Sequence, residues 1–342
     1  GRGFWILDDL TPLRVWKDEI GQSAAFLFPT RPSMRMQVEK PDEEEGPRRP
    51  VGQNMPEGVI VSYWLKEKPK EKELVKIEVF DGDKLLRSLS NEKKEKEGDL
   101  KHQAEREEED KDKDKPLEPK AGVNRYVWDM RTLRPTLVPK AVFNEGVKAP
   151  PRVAPGTYTV RLTAGGQTLT EKIEVRPHPD GYATAADLKA QYDLLAAIRD
   201  RLSETHATVL KIRDVREQVK QLGERAERLG KGDALKKGAA TLAEKLTAVE
   251  EKLLNPQIKA NEDDLNYEPK LDHDFTNLAS VVASADTRPT PSSAKYYEEL
   301  KGRLVAILTE FQNLLDHDVA DFNRAVEGQR IPPVAPAPKP ES

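Results

Sequence analysis

The sequence predicts a multidomain β + α protein, an immunoglobulin-like antiparallel β-sandwich followed by an antiparallel bundle of long helices. Three observations carry this reading. Between residues 57 and 177, short runs of alternating apolar and polar residues are separated by Asp-Gly, Pro-Gly and Gly-Gly turns. Between 183 and 328, apolar residues instead recur at spacings of three, four and seven, the period of an amphipathic helix. Charged residues make up 34% and hydrophobic residues 37% of 342 positions, with charge gathered in blocks, a length and composition for two or three folded domains.

The strands come first. Val59-Ile60-Val61-Ser62-Tyr63-Trp64-Leu65 is rich in β-branched and aromatic residues, and Val75, Ile77 and Val79 alternate with Lys76 and Glu78. Asp81-Gly82, set between Phe80 and Leu85-Leu86, reads as a hairpin turn. In Asn124–Met130, the residues Tyr126, Trp128 and Met130 share one face. Pro155-Gly156 then turns the chain into Tyr158, Val160 and Leu162, and Gly165-Gly166 turns it again toward Leu169, Ile173 and Val175. With no cysteine in the chain, the two sheets must be pinned by apolar packing. Trp64 and Trp128 are the candidates, each able to bury on the order of 200 Å². Residues 91–120 are dominated by Glu, Lys and Asp, too polar to offset their ordering entropy, and are expected to form a disordered, solvated insertion.

The helices follow His178-Pro179-Asp180. Thr184 is the expected N-cap, with Asp187 completing a capping box. Leu188, Tyr192, Leu195, Ile198, Leu202, Val209, Ile212, Val219 and Leu222 then form one stripe. A helix continuous to about Leu229 would run roughly 65 Å. Gly230 and Gly232 end it, and Leu235, Leu242, Leu246, Val249 and Leu253 mark a second helix stopped by Asn255-Pro256. A third carries Leu271, Phe275, Leu278 and Val282. The last, capped by Thr290 with Pro291 at its first position, carries Tyr297, Leu300, Leu304, Ile307, Phe311, Leu314, Phe322 and Val326. Four such stripes must bury one another, and an antiparallel bundle does this with short connections.

Four further features bound the function. Residues 30–56 form a Pro-rich linker, and residues 329–342 a disordered Pro-rich tail. The net charge of −4 argues against a nucleic-acid platform. No run approaches the roughly 18 consecutive apolar residues of a membrane span. The absence of cysteine removes disulfides and thiolate metal sites.

Chemistry-bearing residues are few, and the sequence assigns no catalytic, cofactor-binding or metal-binding residue. Asp-His-Asp occurs twice, at Asp272–Asp274 and Asp316–Asp318. Neighbouring helical residues point about 100° apart, so neither tripeptide can converge on a metal alone. Both read as solvated helix-face charges with a capping role. His178 and His206 read as local hydrogen-bond partners, and Glu262-Asp263-Asp264 lacks the spacing of a calcium loop. Trp5, Trp16 and Trp64 are the candidates for a carbohydrate or partner contact, against the alternative that strand aromatics simply pack in the core.

The apolar run Phe4–Leu7 has no strand before it to pair with, so the chain reads as the end of something larger. GRGFWILDDLTPLR (residues 1–14) and Phe26-Leu27-Phe28-Pro29 resemble the closing blade of bacterial sortilin-type β-propeller proteins, commonly labelled glycosyl hydrolase, exo-sialidase-like or BNR-repeat proteins. AGVNRYVWDMR (121–131), APGTYTVRL (154–162), ATAADLKAQYDLLAAIRDRLSETH (183–206) and VVASADTRPT (281–290) resemble the region after the propeller in that family. The strand order also resembles Ig-like modules of the flagellar hook-capping type. The resemblance implies residual propeller strands over 1–29 and a sandwich over 57–177. It implies a helical bundle over 183–328 and a secreted or periplasmic bacterial location. The Ser-x-Asp-x-Gly-x-Thr-Trp box of the blades is absent, so the resemblance places any propeller active site upstream of Gly1. The expected role is then a non-catalytic accessory and interaction region. Its expected partners are the upstream propeller and, through the bundle, another protein or a second copy. The alternative is a structural part of a sialidase-like glycoside hydrolase.

Overall fold

A computed structural model of the chain describes residues 7, 9–36, 55–92, 116–139, 141–143, 149–230, 233–260 and 262–331. Most of the charged insertion, the Pro-rich stretch 37–54 and the tail from 332 lie outside the described residues. Two compact units are present: Gly1–Leu133 with Pro151–Tyr192, and Arg134–Pro150 with Asp193–Ser342.

The first unit holds two sheets. One is antiparallel and three-stranded, with β1 (Ala25–Leu27), β3 (Val59–Leu65) and β6 (Gly122–Trp128) in the order β1-β3-β6. The other has five strands, β2 (Ser33–Met34), β4 (Lys76–Asp81), β5 (Lys84–Ser90), β7 (Gly156–Ala164) and β8 (Gln167–Arg176), in the order β2-β8-β7-β4-β5. Its pairings are antiparallel except for β2 beside β8. Period-two alternation sends Val59, Val61, Tyr63 and Leu65 inward from one sheet, and Ile77, Val79, Tyr158, Val160 and Leu162 from the other. Burial pushes the Tyr63 hydroxyl up to about 12. The Gly165-Gly166 hairpin forms where expected, with φ of +57° and +71° suited to a tight two-residue turn. The β4–β5 connection is Gly82-Asp83, one residue later than the Asp81-Gly82 expectation, because Asp81 pairs with Lys84.

Of the two tryptophans expected to pin the sheets, only Trp128 does. Its ring is fully buried and meets Tyr158 of the other sheet edge-on, centroids 5.8 Å apart at 73°. Trp64 falls on the opposite parity to Tyr63 and Leu65, so the pleat turns it to the outer face. The hydroxyl of Tyr158 donates to the Ala154 carbonyl at 2.6 Å, tying the start of β7 back on itself. Gly58 precedes β3 with φ of +128°, and a Cβ there would lie 2.2 Å from the Trp128 carbonyl oxygen. Gly58→Ala is therefore expected to destabilise the first unit by about 2 kcal/mol, through strain and loss of the β3–β6 register. Urea unfolding followed by tryptophan fluorescence checks this.

The chain's first described residues depart from expectation. Where residues 1–29 were expected to supply propeller strands, two short helices form, α1 (Thr11–Val15) and α2 (Asp18–Gln22), and among the described residues of this stretch only Ala25–Leu27 is a strand. Asp9 forms a turn just before α1, its Oδ1 accepting from both the backbone N–H (2.9 Å) and the hydroxyl (2.6 Å) of Thr11. β1 and β2 add to the two sheets, so residues 25–34 are part of this unit rather than terminal strands and linker.

Among its described residues the second unit is mainly helical; residues 134–139 and 141–143 form a non-helical strap. α3 (Ala185–Arg228) is continuous over 44 residues, about 66 Å of helix. The expected capping box forms: Asp187 N–H donates to Thr184 Oγ1 (3.2 Å) and Thr184 N–H to Asp187 Oδ2 (3.1 Å). α4 (Asp233–Leu253), α5 (Leu271–Ala283) and α6 (Pro291–Asn313) follow. A π-helical turn (Leu314–Val319) leads from α6 into α7 (Ala320–Gly328). Thr290 caps α6 by accepting from Ser293 N–H at 3.1 Å. Gly223 approaches Ala239, Arg216 bonds Thr247 and Arg213 bonds Glu250, so α3 and α4 run antiparallel. A Cβ on Gly223 would lie 2.8 Å from that of Ala239, which is why this helix tolerates a glycine in its interior. Ile198, Val209, Ile212, Leu246, Val249, Phe275, Leu300 and Leu304 share one core.

Candidate functional site

The densest group of titratable side chains lies inside the helical unit, where the strap crosses α3 and α5. His206 belongs to the apolar stripe of α3, between Leu202 and Val209 at helical spacing, and is fully enclosed. Its Nδ1 accepts the backbone N–H of Val138 at 3.0 Å. The neutral ring's proton therefore sits on Nε2, which faces Asp272 Oδ2 at 3.8 Å, beyond hydrogen-bond range. Burial, above all, holds the His206 imidazole down to about 4, aided by Arg213 and His273 and opposed by Asp272.

Asp272 and His273 open α5 and are 1% and 4% exposed. Asp272 Oδ1 accepts both the backbone N–H (2.9 Å) and the ring Nδ1 (3.1 Å) of His273. The Phe143 ring of the strap lies against both imidazoles, 4.8 Å from that of His273 and 6.0 Å from that of His206. The expectation that Asp272 and His273 are solvated helix-face charges is thus corrected: they lie on the inward side of α5 beside Leu271 and Phe275. Only Asp274 of that tripeptide faces out, bonded to Arg303 at 2.8 Å.

With Nδ1 accepting the Val138 N–H, the neutral His206 ring carries its proton on Nε2 and offers no lone pair there. Among the described residues no three His, Asp or Glu side chains converge as a ligand set. Beside the cluster is a cavity of about 110 Å³ lined by Val138, Ala141, Arg213, Lys259, Asp272 and His273. That is below the roughly 300–1,000 Å³ of ordinary small-molecule sites.

The other candidates separate. Asp316-His317-Asp318 lies in the π-helical turn, with Asp316 accepting from Gln312 at 2.8 Å and Asp318 paired with Lys245. Asp263 accepts the backbone N–H groups of Lys259 (2.7 Å) and Ala260 (2.8 Å), which hold its carboxyl below the usual range and commit it to a turn. His178 accepts from Asp180 N–H at 3.1 Å, and so serves locally as expected. Trp5 lies outside the described residues. Trp16 and Trp64 do come together, edge to face at 4.9 Å and 76°, with Trp64 Nε1 donating to the Ser23 carbonyl at 3.3 Å. Trp16 is 38% exposed and stands near the exposed Leu10 and Leu13 in the chain.

The sequence reading named His206 but missed its partners. Its place on the stripe was the available signal; nothing in the spacing of Val138, Phe143 and Asp272 points to it. Glu250 was missed likewise. It lies on the buried side of α4, four residues after Leu246, and is held by Arg213 and Arg216 of α3.

Among protein-family models, curated proteins and solved structures, none matches this chain. No helix among the described residues is long and apolar enough to cross a membrane.

Proposed function

We propose that this chain is a non-catalytic accessory and protein-interaction region of a larger bacterial β-propeller protein, with an Ig-like sandwich as its first unit. One observation carries the reading: the side chains best equipped for acid–base chemistry are spent on architecture. His206 and Asp272 are sealed from solvent and hold a strap and a helix start, and Glu250 is consumed by two arginines that join α3 to α4. The exposed Leu10, Leu13 and Trp16 supply an apolar edge on which a neighbouring domain can rest. The resemblance to the sortilin-type family supports the propeller as that neighbour and a secreted or periplasmic location.

The chain is expected to leave sialosides and aryl glycosides unhydrolysed, measured by release of the chromogenic aglycone. Turnover that survives rigorous purification would overturn the accessory role and favour the hydrolase alternative.

A further inference from the structure

The strap, described over residues 134–139 and 141–143, lies between β6 and β7 in the chain, yet it belongs to the helical unit. Two backbone donors hold it to α3: Thr136 N–H bonds Ser203 Oγ at 3.1 Å, and Val138 N–H bonds His206 Nδ1 at 3.0 Å. Ser203 and His206 are three residues apart and so share one side of the helix. Val138 is buried in the helical core, and the Phe143 ring covers the two imidazoles. The hydroxyl accepts at any accessible pH. The imidazole accepts only while neutral, because a proton on Nδ1 would set one N–H against another.

We infer that His206 is a proton-operated latch: its neutral ring holds the strap on α3, and protonation releases the strap while the helices remain folded. The ionisable groups acting on the ring are Asp272 and His273 on α5 and Arg213 two turns along α3; the strap presents the Val138 N–H and the Phe143 ring.

The direction follows from linkage. Closed, the ring is held down to about 4; with the strap released it returns toward the ordinary 6.5. The open form therefore takes up its proton first as pH falls. Opening becomes easier below about 6.5 and gains nothing further below about 4. Between about pH 7.5 and about pH 5 the opening constant grows about 30-fold. Leu246, Val249 and Phe275 lie in the shared core and do not depend on the ring's charge, so the loss is local to the strap.

Amide hydrogen exchange on the full chain tests this, with rates corrected for intrinsic pH dependence. Protection of the Thr136 and Val138 amides should fall about 30-fold from about pH 7.5 to about pH 5, while that of Leu246 and Val249 holds. Unchanged strap protection, or a parallel loss in α4, overturns the latch. His206→Asn places a non-titrating acceptor near the position of Nδ1 and should flatten the strap's pH response. Asp272→Asn should leave that response at least as large; a response abolished by Asp272→Asn would put the proton on the carboxylate and overturn the assignment. If His206→Asn does not fold, the wild-type chain and Asp272→Asn decide the matter between them.

Discussion

Trp128→Ala should cost the first unit about 4 kcal/mol, the largest effect expected of any single substitution in this chain. The indole is fully buried at the end of β6, edge-on to Tyr158 across the sheets, and its Nε1–H donates to the Arg131 carbonyl at 2.8 Å. Truncation removes the transfer free energy of a large ring, leaves a cavity between two sheets that cannot fully collapse, and removes the hydrogen bond to the Arg131 carbonyl. Trp128→Phe keeps the edge-on contact and loses only the hydrogen bond and part of the volume, so about 1–2 kcal/mol is expected. Trp64→Ala is the comparator: on the outer face and half-buried, it should cost clearly less than Trp128→Ala. The readout separates the units, because all four tryptophans lie in residues 1–133. Urea unfolding followed by fluorescence should shift, while the far-ultraviolet circular dichroism transition of the helices should not. A loss under about 1 kcal/mol for Trp128→Ala would show that the indole does not pin the sheets.

Local rules located most of these elements, and long-range packing decided what they missed. The capping box at Thr184, the Thr290-Pro291 start and the Gly165-Gly166 hairpin are set by residues within a few positions, and each formed where the chemistry placed it. The 3.6-residue stripes gave the four long helices for the same reason. The described part of residues 1–29 misled: resemblance suggested strands, but an Asp9 turn and Pro12 lead into a helix, and β1 finds its partner β3 more than thirty residues away. The strap carries no periodic pattern, so no window of sequence assigns it to α3 rather than to the strands that flank it. Polar residues on an apolar stripe were the one underused signal. His206 and Glu250 both sit where a leucine would fit, and both are the points at which another segment is held.

Glu250→Ala should cost the second unit about 3 kcal/mol. The carboxylate is 3% exposed and bridges two arginines: Oε1 accepts from Arg213 Nε at 2.7 Å and Oε2 from Arg216 Nη1 at 2.5 Å. Arg216 Nη1 also donates to Thr247 Oγ1 at 2.9 Å, so the group is a four-residue clamp across α3 and α4. Removing the acid leaves two guanidiniums close together without their counter-charge. Their side chains are 37% and 29% exposed, so both can turn toward water, which keeps the cost at the low end of the roughly 3–5 kcal/mol for breaking a buried pair. Glu250→Leu should recover part of the loss, since the site continues the stripe of Leu246 and Leu253. Salt discriminates between the buried clamp and surface pairs. Lys252–Glu310 is about half exposed on both sides and should contribute under about 1 kcal/mol, falling further in about 1 M NaCl. The Glu250 effect should persist there, because its carboxylate is shielded from the ions. Far-ultraviolet circular dichroism during urea unfolding reads both variants, and a Glu250→Ala loss that vanished in high salt would place the clamp among the solvent-screened pairs.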